Sequence, residues 1–149
     1  WSMPTGTAGY KHQYIFTSST SFTDEYSFYS NDNCTTSTGF IKYNYKDVNV
    51  GSTVSLTALS PRPSSAYQVQ YSKLNVKSKG STTAALSYLN SELGTTHSSG
   101  VEQTNYVYAK VYNIWATGTS GGSTWLYIGP AGVSTYPTAW TSYDDTLFQ

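Results

Sequence analysis

Apolar and polar residues alternate at every second position along much of the chain, the pattern of half-buried β-strands. Tyr10, His12, Tyr14 and Phe16 share one face of a first strand. Asp24 to Ser30 predicts a second, with Tyr26 and Phe28 on one side and Tyr29 on the other. Ser30 to Asn33 predicts a turn, because Asn and Asp side chains bond nearby backbone groups and tolerate positive φ. From Phe40 to Val50, Ile41, Tyr43 and Tyr45 alternate with Lys42, Asn44 and Lys46, and then the apolar phase moves to Val48 and Val50. That change predicts a bulge or break near Asp47. Gly51 reads as a turn, Thr53 to Leu59 as a strand, and Pro61 to Ser65 as a loop, since proline donates nothing to a ladder.

Ala66 to Lys77 is again strand-like. Tyr67, Val69 and Tyr71 share a face that Leu74 and Val76 do not, which predicts a second bulge at Ser72–Lys73. The period changes once, from two to 3.6. Over Thr82 to Leu93, Ala84, Ala85, Leu86, Leu89 and Leu93 form an apolar helical stripe, with Ser81 or a neighbouring Thr as cap and Gly94 as stop. Thr95 to Gly100 reads as a polar loop. Tyr106 to Trp115 is the clearest strand, Gly118 to Ser123 a hairpin loop, and Thr124 to Ile128 the return strand. Tyr136 to Phe148 predicts one more edge strand. These elements predict an all-β, mainly antiparallel fold with one short helix. Apolar groups on both faces of several strands call for closure, so the expectation is a single domain over residues 1–149, a closed or nearly closed barrel of about eight or nine strands.

Composition narrows the function. The 149 residues carry eight Lys+Arg and eight Asp+Glu, and charged residues are 11% of the chain. A neutral chain has no electrostatic footprint for nucleic acid. No apolar run is long enough for a membrane-spanning helix, so neither nucleic acid nor a membrane span is expected. One Cys excludes a disulfide framework and a Cys-built zinc site. Hydroxyls replace charges, with 23 Ser, 22 Thr and 15 Tyr. Such a surface fits an extracellular or cell-envelope protein, and opening on Trp1 reads as processing or trimming. Asn33-Cys34-Thr35 fits the glycosylation sequon, but so short a motif reads first as a polar turn.

Trp1, Tyr29-Ser-Asn-Asp-Asn-Cys-Thr-Thr36, the Ala-containing helix Ser81 to Asn90, and Ala109-Lys-Val-Tyr112 running on to Leu126-Tyr-Ile-Gly129 and Tyr136-Pro-Thr138 together resemble a family of bacterial secreted proteins and lipoproteins. The resemblance covers most of the chain and implies a lipocalin-like β-barrel in the envelope. It carries over no catalytic residue. Relatives usually hold a further Cys near the early Trp that would pair with the equivalent of Cys34; this chain has no second Cys, so that disulfide is not carried over.

Candidate chemistry is thin. His12 reads as a packed residue of the aromatic face and His97 as a solvated loop residue. No G-x-S-x-G elbow presents a serine. No cation stands near Cys34 in sequence to activate its thiol. Asp24-Glu25 and Asp144-Asp145 are adjacent pairs whose side chains point to opposite faces of a strand, unlike facing glycosidase carboxylates. Asn31 to Asn33 and Asp144-Asp145 offer oxygen ligands of the kind calcium takes, without EF-hand spacing. No enzyme activity, metal or cofactor is expected. The aromatics carry the functional signal, since flat amphipathic rings suit apolar ligands, sugars or contact surfaces. The expected ligand-binding residues are Tyr14, Phe16, Tyr43, Tyr106, Val107, Tyr108, Val111, Tyr112 and Trp125. The leading reading is a non-enzymatic binding protein for a small apolar or aromatic ligand. The alternatives are a subunit that assembles with copies of itself into a fibre or layer, and a carbohydrate-binding module for a sugar ligand.

Overall fold

Described in the computed structural model are residues 3–57, 59–141 and the backbone of 145–148. The protein is mainly antiparallel β-structure with one short helix. Its strands are β1 (Gly9–Ser18), β2 (Ser21–Tyr29), β3 (Ser37–Ser55), β4 (Ser65–Gly80), β5 (Gln103–Ser120), β6 (Ser123–Ile128) and β7 (Asp145–Phe148), with α1 (Thr83–Leu93) between β4 and β5. Each strand neighbours the next, in the order β1-β2-β3-β4-β5-β6-β7.

This corrects the expected barrel of eight or nine strands. Among the described residues there are seven, in the sheet order that runs from β1 to β7. The two expected strands Phe40–Val50 and Thr53–Leu59 are one, β3, which ends at Ser55; Asp47, at the change of apolar phase, takes a φ of +56° inside it. Gly51 is no turn. A Cβ there would lie 3.3 Å from the Gln68 carbonyl oxygen, so its lack of a side chain serves a close approach to β4. The expected strand from Tyr136 shrinks to Asp145–Phe148, in keeping with Pro137, which cannot donate to a ladder. Trp1 and Asp144, and the Asp145 side chain, lie outside the described residues.

Two compact units divide the chain: Trp1–Lys46 with Lys73–Tyr108, and Asp47–Ser72 with Ala109–Gln149. The divisions after Lys46 and Ser72 fall at the two places where the apolar phase shifts. In β4 the buried residues include odd-numbered Val69 and Tyr71, then even-numbered Val76, Ser78 and Gly80, with Ala66 and Asn75 buried as well. In the first unit, β1, β2 and β3 align side chains in rows: Tyr10–Phe28–Gly39, His12–Tyr26–Ile41, Tyr14–Asp24–Tyr43 and Phe16–Phe22–Tyr45. The helix follows from its sequence. Thr82 accepts a hydrogen bond from the Ala85 amide at the N-terminus, and Gly94 closes the C-terminus in the left-handed region at φ 63°, where a Cβ is costly. Leu89 of the apolar stripe packs into a core with Phe28, Ile41 and Val76. No described helix is long and apolar enough to cross a membrane.

The second unit has its own core of Leu56, Ala66, Ile114, Ala116, Tyr127 and Trp140. Ala116 and Tyr127 are direct cross-strand partners. Trp140 donates its indole N–H to the Pro63 carbonyl at 2.8 Å, and Tyr112 and Gly132 exchange two backbone hydrogen bonds. These contacts hold the irregular segment after β6 against the unit.

Candidate ligand-binding site

The structure brings together only part of the expected aromatic set. Tyr14, Phe16 and Tyr43 share one sheet face of the first unit, but their rings meet their neighbours. Phe22 lies 6.0 Å from Tyr14, 5.6 Å from Phe16 and 4.7 Å from Tyr45, centroid to centroid. At the centre of this face is Asp24, a carboxylate only 8% exposed. His12 donates to it from Nε2 at 2.8 Å and stacks on Tyr26 at 4.0 Å. Lys73 Nζ sits 4.6 Å from the centre of the Tyr43 ring. Burial, with repulsion from Asp24 and Glu92 added, pushes the Tyr43 phenol up to about 12. Burial also holds the Lys73 ammonium below the usual lysine range, while Asp24 works the other way. These are partnered polar groups packed among rings, with the buried carboxylate supplied with counter-charge, as such a group requires.

Of the remaining expected residues, Tyr106 and Tyr108 stand outward on β5, 68% and 75% exposed. Val107 is exposed beside them. Val111, Tyr112 and Trp125 belong to the second unit. Tyr112 meets Tyr136 edge to face at 5.1 Å, and Trp125 packs against the second unit's core.

Sequence reasoning missed one apolar concavity. It lies in the second unit, has a volume of ≈ 150 Å³, and is lined by Val50, Tyr67, Val69, Trp115, Ala116, Thr117 and Leu126. Val69, Trp115 and Ala116 are buried, while Val50 and Tyr67 are about half exposed and Thr117 is exposed. The buried residues make a floor and the exposed ones a mouth. Thr117 and Leu126 are cross-strand partners on β5 and β6, so two rigid strands hold one wall. No charged side chain lines it. The change of apolar phase at Asp47 hints at this site, because it moves the apolar positions of β3 onto Val48 and Val50. The pairing that assembles the site is long-range and has no local signal.

His97 is corrected from a solvated loop residue to a buried one, 6% exposed. Its backbone N–H and its ring Nδ1 both reach Asn90 Oδ1, at 2.8 and 2.9 Å. An amide oxygen only accepts, so Nδ1 carries the proton. Nε2 is then the acceptor for the Ser78 hydroxyl at 2.7 Å. The geometry is that of a serine–histidine–amide relay. Ser78, however, has zero exposed surface, so no substrate carbonyl reaches its oxygen. The cluster ties α1 and the following loop to β4.

Cys34 is free, half-buried and in the left-handed region at φ 53°. Among the described residues no group of three or more His, Cys, Asp or Glu side chains could hold a metal ion. No protein-family model matches the chain, and no curated protein sequence matches it.

Proposed function

We propose that this chain is a non-enzymatic binding protein for a small apolar or aromatic ligand, held in the concavity of the second unit and acting outside the cytoplasm. The observation that carries the reading is the apolar lining: an open-mouthed space of ≈ 150 Å³ with Val69, Trp115 and Ala116 beneath it. Binding there removes apolar ligand surface from water, worth about 25 cal/mol per Å². The lipocalin-like family resemblance and the hydroxyl-rich, charge-poor surface support the same reading. It does not require the sheet to close into a barrel, because the lining residues belong to one unit. Titration calorimetry with toluene tests it. Saturable binding that is lost in Val50→Trp, a change at the exposed mouth, is the expected result. No saturable heat up to the solubility limit of toluene, or binding unchanged in Val50→Trp, overturns it.

A second reading, self-assembly, is favoured by the outward Tyr106 and Tyr108. With few charges to repel a neighbour, such a band suits contact between copies. Light scattering that shows concentration-dependent growth, abolished by Tyr106→Ser with Tyr108→Ser, supports it. A monomer at millimolar concentration excludes it.

A further inference from the structure

A second concavity lies in the first unit, apart from the pocket above. It is a groove of ≈ 310 Å³. One face of α1 forms its first wall. Ala84, Ser87, Tyr88, Ser91 and Glu92 recur at three- and four-residue spacing, as a single helical face requires. Ala85 and Leu89, which α1 buries, lie outside that wall. The other wall is the segment ahead of β1, with Met3, Pro4 and Thr5. Pro4 is buried, and its carbonyl accepts the Thr7 amide at 3.2 Å, which holds the segment in a turn.

Glu92 is the one charged residue of α1 and stands in its last turn, where no basic residue accompanies it. A helix concentrates negative partial charge at that end, which disfavours a carboxylate. Among the described residues no Lys, Arg or His lines the groove, and Glu92 has no ion-pair partner. Its field reaches Tyr88, one turn earlier: burial, with repulsion from Glu92 and Tyr43 added, pushes that phenol up. A carboxylate set against the helix dipole and left uncountered loses stability that a bound cation restores. A metal ion of the calcium type takes six or more oxygen ligands, which a single carboxylate does not approach. An alkylated ammonium asks for less. Its charge is satisfied by a carboxylate and an aromatic ring, and its alkyl groups by apolar surface.

We propose that the first-unit groove binds a small alkylated ammonium ion, its charge beside Glu92 and its alkyl groups against Tyr88, Met3 and Pro4. The hydroxyls of Thr5, Ser87 and Ser91 are there to hydrogen-bond a polar group on the same ligand.

Choline and neohexyl alcohol test this. The two share their shape and hydroxyl, and carbon in the alcohol replaces the quaternary nitrogen of choline. Each is titrated into the full chain at low ionic strength and followed by NMR of the backbone amides. Choline should shift the amides of Ser87, Tyr88 and Ser91 saturably. Neohexyl alcohol should bind more weakly by about fivefold or more, the scale of an exposed ion pair with a cation–ring contact added. Glu92→Gln should weaken choline to the level of the alcohol and leave the alcohol unchanged. It should also raise the urea midpoint of the ligand-free protein, because an acid leaves the negative end of the helix. Ser87→Trp, at an exposed position of the groove, should block choline, with circular dichroism confirming the fold. The proposal is overturned by equal affinity for the two probes, or by no saturable shift with choline. Choline binding unchanged in Glu92→Gln or Ser87→Trp overturns it too, as do shifts centred on Asp32 or Asp47 instead of the groove. A lowered midpoint in Glu92→Gln would mean that Glu92 is already partnered, and overturns it as well. None of these results bears on the second-unit pocket, which toluene reads separately.

Discussion

The chain Ser78–His97–Asn90 allows a sharp test, because it looks catalytic and its burial says it is structural. Ser78→Ala removes the one donor to His97 Nε2. Both residues are buried, at 0% and 6% exposure, so water does not readily replace the 2.7 Å bond. An orphaned buried acceptor costs about 1–3 kcal/mol. With a urea m-value of about 1–3 kcal/mol/M, the unfolding midpoint should fall by about 1 M. Asn90→Ala removes the acceptor of two bonds, from the His97 backbone and from Nδ1, and should cost more. The pair Ser78→Ala and His97→Phe, measured singly and together, should show a coupling of about 0.5–3 kcal/mol. The readout is urea unfolding followed by circular dichroism. A second readout is exposure to a fluorophosphonate, which labels accessible activated serines; Ser78 should stay unmodified in the folded protein. Zero coupling would sink the structural account, and modification of Ser78 would reinstate the catalytic one.

Three further outcomes are expected. Leu89→Ala empties a fully buried site between helix and sheet and should cost about 2–5 kcal/mol, read as a urea midpoint shift; a loss under 1 kcal/mol would contradict the packing. Gly94→Ala forces a Cβ into the left-handed region at φ 63°, for about 1–2 kcal/mol, and a neutral result would mean that the helix ends differently. The Tyr43 phenol is raised from 10.0 to about 12, so its contribution to stability is whole below pH 10 and is lost as pH climbs from 10 to 12, where the unfolded chain ionises first. Tyr43→Phe should flatten the stability loss across that window, measured by urea unfolding at each pH, and an unchanged slope would refute the assignment.

Local signals carried far in this sequence. The helix with its Thr cap and Gly stop, the Asn-rich turn before Thr36 and both phase shifts in β3 and β4 are legible, because each depends on a few adjacent residues; the hairpin loop expected over Gly118 to Ser123 narrows to Gly121–Gly122, since β5 runs on to Ser120. Strand length is not legible. Gly51 has the look of a turn, and only the backbone of β4 passing close beside it shows why it belongs inside a strand. His97 sits among Thr, Ser and Gly, the composition of a solvated loop, yet Asn90 and Ser78 draw it inward. The aromatic alternation located Tyr14, Phe16 and Tyr43 on one face but gave no hint that Phe22 and Tyr45 would fill the space between them. Trp115 ends the clearest predicted strand, but its place on the pocket floor depends on Val69, forty-six positions away in the sequence.

The left-handed residue in β3 gives that strand something like a reading frame. From Ile41 to Tyr45 the apolar side chains are odd-numbered; from Val48 onward they are even-numbered, and Asp47 is the extra letter between the two phases. A substitution there alters only local comfort: glycine would suit the φ of +56°, and valine would strain it. A deletion is of another kind. Every side chain from Val48 to Ser55 would change sides, because a one-residue slip in a strand exchanges its two faces. Val54, which packs against the second unit's core, would be replaced there by a polar neighbour. Along this strand the chain tolerates changes of spelling far better than changes of length.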